Sequence, residues 1–248
     1  MVLPPINKVI NLQKKTSNSL PRIYPEPPES GRVLVLSPHF DDETIGCGGT
    51  LFKHSRRGDE IKILFLTDGT KGTTDLHRDL ELNEIRKRET ENACSTLGIK
   101  NKVFWDIDET VFKCDGSTIK KTIALLKDFQ PDVILLPSIL ESHQHHVETN
   151  KILANSLRKT KITTSINMFE IWTPVPINHL IDISDVFDKK REALLKYESQ
   201  LKIIGYLKGI EGLNSYRATI TARGNLMKHA EGFIHCDTEE YLKICSIV

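Results

Sequence analysis

Four apolar residues, Val33-Leu34-Val35-Leu36, run without alternation into Ser37-Pro38, and His39, Asp41, Asp42 and Glu43 follow within five positions. A short unalternated run with two valines reads as a strand buried on both faces. Proline has no amide hydrogen with which to continue a ladder, so the chain leaves the sheet at Pro38. Four titratable side chains are therefore delivered to a strand's carboxyl end, where open α/β sheets bind their ligands. Three consecutive acids are not a core feature, because unpaired buried charge is costly. Thr44 to Leu51, with glycines 46, 48 and 49, is expected to turn into a helix packed closely on the sheet.

The rest of the chain alternates in the same manner. Strands are expected at Glu60 to Thr67, Lys102 to Trp105, Asp132 to Leu136, Ile166 to Trp172 and His179 to Ile183. Helices are expected over residues 77 to 97, ended by a glycine cap at Gly98, then Thr118 to Phe129, Val147 to Arg158, and onward from Ser184. The last 40 residues read as a glycine-punctuated loop, a helical piece near Tyr216 to Lys228 and a closing segment around Phe233. Residues 1 to 30 hold six of the eleven prolines. They read as an extended arm with a short helix near Val9 to Lys14, lying on the domain or on a neighbouring subunit, which leaves a homo-oligomer open. The domain proper, residues 31 to 248, is expected to be a single Rossmann-like, doubly wound α/β unit. Its sheet is mostly parallel with helices on both faces. In that topology the strands at 33–36 and 132–136 are neighbours, and the crevice between them is the switch point. His143, His145 and His146 follow the second of these strands, so two polar clusters about a hundred residues apart are expected side by side.

The totals narrow the function classes. A net charge of +1 from 34 basic and 33 acidic residues gives no field that favours nucleic acid. No stretch approaches the roughly 18 apolar residues of a membrane span, and the N-terminus lacks the apolar core of a signal peptide. Cysteines 47, 94, 114, 236 and 245 form no C-x-x-C pair, which points to reduced thiols and a cytoplasmic setting. Gly46-Cys47-Gly48-Gly49 does not complete G-x-G-x-x-G, because Leu51 stands in the third glycine's place.

Histidine and carboxylate are the ligands of catalytic zinc, commonly three with a position left for water. His39 and Asp42, three residues apart, can converge on one ion, and a histidine of the second cluster would complete the set. Asp41 would then serve as general base and Glu43 would hold a ligand from behind. Arg86 lies on the 77–97 helix three residues from Glu89, either as an ordinary i,i+3 ion pair or as a contact for substrate hydroxyls or phosphate.

PHFDDETIGCGG resembles the P-H-x-D-D-E…G-G signature of the PIG-L/LmbE-like de-N-acetylases. Thr67-Asp68-Gly69, Arg86 and Glu89, Leu97-Gly98, His143 and His146, KREALLKYESQ from Lys190, and A-E-G-F at Ala230 to Phe233 follow in that family's order. The resemblance spans residues 31 to 235. It implies a hydrolase that uses Zn2+, or another divalent metal such as Fe2+, to remove the acetyl group from an N-acetylglucosamine-like substrate. It further implies His39, Asp42 and His146 as metal ligands, Asp41 as base, and His143 as the group that stabilises the oxyanion or protonates the leaving nitrogen. Two departures stand out: Phe40 where proline is commonest, and H-Q-H-H in place of H-P-D-H, which adds His145 as a third candidate ligand. The alternatives are a metal-dependent hydrolase of another amide or ester, and a non-catalytic sugar- or nucleotide-binding module.

Overall fold

The computed structural model describes residues 20–71, 80–221 and 226–246. Among the described residues eight strands form one sheet: β1 (Arg22–Tyr24), β2 (Arg32–Ser37), β3 (Glu60–Thr67), β4 (Asn101–Ile107), β5 (Val133–Pro137), β6 (Ser165–Phe169), β7 (His179–Asp182) and β8 (Ala230–Asp237). Their order is β1-β7-β8-β6-β5-β2-β3-β4. All pairings are parallel except those of β8, which runs antiparallel between β6 and β7. Eight α-helices accompany them among the described residues: α1 (Asp42–Arg57), α2 (Leu80–Thr96), α3 (Gly116–Phe129), α4 (Gln144–Thr160), α5 (Phe187–Leu194), α6 (Glu198–Leu201), α7 (Tyr206–Tyr216) and α8 (Thr238–Cys245).

The unalternated strand behaves as expected. Val33 and Val35 enter the core under α1, α2, α5 and α7, whereas Leu34 and Leu36 enter the core under α3, α4 and α8. Both faces are dry because helices cover both, and successive side chains of a strand point to opposite sides. β2 pairs with β3 on one edge and β5 on the other, so the switch point lies between β2 and β5. The mostly parallel α/β sheet is therefore the one the sequence leads to.

α1 lies unusually close to that sheet. A Cβ built on Gly46 would fall 2.0 Å from the Phe169 ring, and one on Gly49 would fall 2.7 Å from Ile183. The helix bends at Cys47 (φ −144°, ψ 23°). Just past the bend, the buried carboxylate of Glu231 accepts from the amides of Gly49 and Thr50 at 2.9 and 2.8 Å, and pairs with buried Lys190 at 2.7 Å. The late A-E-G-F and K-R-E-A segments thus meet under the helix that carries the acids.

Four features differ from the sequence reading. Three residues at 22–24, within the stretch read as an arm, join the sheet edge beside β7; the helix expected near Val9 lies outside the described residues. The helix expected from Ser184 is two pieces, α5 and α6. The glycine-punctuated stretch is helical, as α7, and a π-helical turn follows at Arg217–Thr221. Tyr206, Ile210 and Asn214 recur every four residues and bury one stripe, while Gly209 and Gly212 meet nothing within 4 Å. Glycine on an open face lowers helix propensity but does not block packing of the opposite face. Finally, the segment around Phe233 is a full strand inserted antiparallel.

Candidate active site

Ser37 ends β2, and the Pro38 carbonyl is gripped from β3 by the amide and hydroxyl of Thr67 at 3.1 and 2.7 Å. His39 therefore emerges at a fixed point, and Asp41 and Asp42 open α1. From the neighbouring strand β5 the chain passes Glu141 and enters α4 at its N-cap, His143. The helix begins earlier than the Val147 expected from sequence: His145 and His146 lie in the first turn of α4. His143 makes that turn, since its Nδ1 accepts from the His145 amide at 3.2 Å.

The two clusters meet. Asp42 Oδ2 accepts from the His39 amide at 2.9 Å, lies 3.0 Å from His39 Nδ1, and lies 3.4 Å from His146 Nε2. One donor atom from each of His39, Asp42 and His146 falls within 4.8 Å of the others. Zinc ligands at 2.0–2.1 Å in a tetrahedron sit about 3.3 Å apart. His146 is fully buried, yet neither of its ring nitrogens has a hydrogen-bond partner among the described residues. An imidazole buried between two carboxylates without a hydrogen bond fits a place where a cation replaces a proton. A second grouping, His39, His143 and His145, shares the His39 ring.

Electrostatics separates the two neighbouring aspartates. Burial would raise Asp42, but His146 and His39 more than reverse it and hold the carboxyl well below its usual range. Burial raises Asp41 to about 6; Arg86 opposes the shift and Asp42 adds to it. Burial would lower His146, but Asp42 and Glu141 outweigh it and raise the ring to about 9. His143 is pushed down to about 3 by burial and by the rings of His39, His146 and His145. A neutral His143 whose Nδ1 accepts from a backbone amide must carry its proton on Nε2.

The remaining site candidates fall in different places. Glu43 does not touch a ligand side chain: it binds Ser37 at 3.1 Å, Thr44 at 2.6 Å and the Tyr197 hydroxyl at 2.8 Å. Its hold is on the strand end, where Ser37 also reaches the His39 carbonyl at 2.8 Å. Arg86 and Glu89 form no ion pair. Glu89 accepts from the Ser199 amide and hydroxyl at 2.7 and 2.6 Å, tying α2 to α6. Arg86 is buried on α2, donates to the Gly69 carbonyl at 3.1 Å and stands over the Phe40 ring at 5.8 Å. Its Nε has no partner among the described residues.

Two residues escaped the sequence reading. Glu141 lies 3.8 Å from His146 Nδ1 and is held by the amides of Ile171, Trp172 and Thr173 at 2.7, 3.2 and 3.2 Å. A carboxylate behind a ligating histidine is a common outer partner. The signal was present as an acid between a strand-ending proline and a histidine cluster, but its captors come from the segment just after β6. Tyr206 is the other: its buried hydroxyl has no partner among the described residues, and Asp41 and Arg86 are among the charges acting on it. Trp172, 43% exposed, stands edge-on to it at 6.5 Å.

Comparison with known proteins places this arrangement. The family model described as PIG-L, GlcNAc-PI de-N-acetylase, matches residues 34–157, half of the 248. A diacetylchitobiose deacetylase of Thermococcus kodakarensis is 30% identical over 186 residues, which cover 68% of this chain and 70% of that protein. The structure of N,N'-diacetylchitobiose deacetylase from Pyrococcus horikoshii superposes with a TM-score of 0.76 at 22% identity, over 97% of this chain and 96% of that one. GalB of Pseudomonas putida, a 4-carboxy-2-hydroxymuconate hydratase, superposes with a TM-score of 0.71 at 19% identity, over 83% and 95%. One fold thus carries more than one chemistry, and activity has to be argued from the site.

Proposed function

Because this chain belongs to the PIG-L family of de-N-acetylases, we propose that it hydrolyses the acetamide of an N-acetylated amino sugar or sugar conjugate of N-acetylglucosamine type, using one divalent metal. The observation that carries this reading is the buried, hydrogen-bond-free imidazole of His146 facing Asp42 and His39. Those three residues would hold the ion, and an all-N/O set of two imidazoles and one carboxylate suits zinc. When bound, the cation supplies Lewis-acid polarisation of the acetamide carbonyl and acidifies a water.

The chain's own residues do the rest. Asp41 takes the proton of the attacking water; a carboxyl at about 6 is ionised at neutral pH and still basic enough to accept it. His143, held neutral with its proton on Nε2, donates a hydrogen bond to the developing oxyanion. A cation at His39, Asp42 and His146 has the sign of a protonated ring and keeps His143 neutral, which favours this role over that of a cationic acid. Arg86 Nε and the Tyr206 hydroxyl are buried donors without a partner among the described residues, and both groups interact electrostatically with Asp41, so they are candidates to meet sugar hydroxyls or a phosphate. Lys190, Glu231, Tyr197 and Glu141 hold these groups in place. No described helix is long and apolar enough to cross a membrane, and all five cysteines are free, which supports a reducing, cytoplasmic setting.

Acetate release from a panel of N-acetylated amino sugars, measured with and without added zinc, tests the reading. Metal-dependent acetate release from at least one N-acetylglucosamine compound is expected. Turnover of simple esters or peptides alone would move the assignment to another hydrolase, and a protein that purifies and stays metal-free would overturn it.

A further inference from the structure

His145 occupies the position where the H-P-D-H pattern carries aspartate, and its ring is held by two neighbours. Nδ1 lies 2.9 Å from His39 Nε2. The Phe112 ring meets it edge-on at 5.3 Å. At the proposed metal site His39 offers Nδ1, which lies 3.0 Å from Asp42 Oδ2, and a neutral ring then keeps its proton on Nε2. The atom facing that N–H is His145 Nδ1, which must be the acceptor.

We propose that His145 is a positioning residue that accepts the Nε2–H of His39 and so reserves His39 Nδ1 for the ion. This rests on the metal reading given above. A ligating histidine generally donates its second N–H to a carboxylate, carbonyl or water that orients it. Here a neutral imidazole takes that place. The same three rings form the His39, His143 and His145 grouping. A second cation there would require His39 to bind through both nitrogens as an imidazolate beside the first dication; the hydrogen-bonded chain requires no such deprotonation.

The test compares wild type with His145→Ala, which removes the acceptor, and His145→Asn, whose amide oxygen can stand where Nδ1 stood. In zinc-loaded protein with 15N-labelled histidine, the exchange-protected Nε2–H signal of His39 is expected in wild type and His145→Asn and is expected to vanish in His145→Ala. Zinc affinity, from competition with a chelator, should fall about 10–100-fold in His145→Ala and return towards wild type in His145→Asn. Melting of the metal-free proteins should be alike, which separates positioning from a fold defect. Equal affinity in all three overturns the inference. So does binding of two zinc ions by wild type and one by His145→Ala, which would make His145 a ligand. A wild type that binds no zinc overturns the metal reading first, and this inference with it.

Discussion

Asp41→Asn should make the metal-free protein more stable while disabling the enzyme. Asp41 is 7% exposed, and its carboxyl is raised from 3.8 to about 6, chiefly by burial. Each pKa unit corresponds to 1.36 kcal/mol, so holding the ionised group in place costs the native state up to ~3 kcal/mol. The direction follows from proton counts. Between pH 3.8 and about 6 the native state keeps this proton after the unfolded chain has shed it. Stability therefore falls as pH rises through that window, and the loss is complete above it. Asparagine never ionises and escapes this loss, although its amide carries a smaller desolvation cost of its own. Urea unfolding of chelator-treated wild type and variant at a series of pH values isolates the effect, because other groups cancel in the difference. The two should lie closest near pH 4 and separate by ~1–3 kcal/mol by pH 7, with the variant the more stable. Zinc should narrow the gap, since a cation favours the carboxylate. Turnover of the loaded variant should fall ~10²–10⁴-fold with metal content unchanged. A difference that does not vary with pH, or a variant less stable than wild type at neutral pH, would refute the electrostatic argument.

Asp42→Asn and His146→Ala should lose metal and activity together, with excess zinc partly rescuing the former; metal analysis beside kcat separates them from Asp41→Asn. His143→Ala should keep its metal and lose roughly 10²-fold or more in kcat, as expected when one oxyanion donor goes. Unchanged turnover would make His143 a bystander. Lys190→Met leaves the fully buried Glu231 carboxylate without its cation and should destabilise by about 3–5 kcal/mol in urea unfolding, with Glu231→Gln in the same chain recovering much of it.

The neighbouring aspartates show what the start of α1 decides: Asp41 is its N-cap, with φ −163° and ψ −14°, and Asp42 is the first residue of the helix. In the folded chain Asp42 turns into the histidines and is held well below its usual range, while burial raises Asp41 to about 6 against the pull of Arg86. Two carboxylates pushed apart by their surroundings can divide ligand and base roles between them.

The sequence by itself determined whatever one local window decides. The unalternated Val33 to Leu36 run, the stop at Pro38, the acids behind it and the glycines of α1 are local statements about backbone, burial and close approach, and each is realised. The proximity of His39 and His146 was also legible, because right-handed crossovers leave few places for β5 other than beside β2. What the tertiary structure decided is pairing between distant groups of equal local merit. Arg86 and Glu89 have the spacing of an ion pair, yet Ser199 supplies amide and hydroxyl to Glu89 from another helix, and Arg86 turns to the Gly69 carbonyl and the Phe40 ring. Glu141 could have been one more loop acid; three amides beyond β6 aim it at His146. The insertion of β8 between β6 and β7 was equally closed to local reading, since an eight-residue strand carries no mark of which edges it will join or in which direction. Periodicity fixes the face a side chain buries; only the assembled sheet fixes what it meets there.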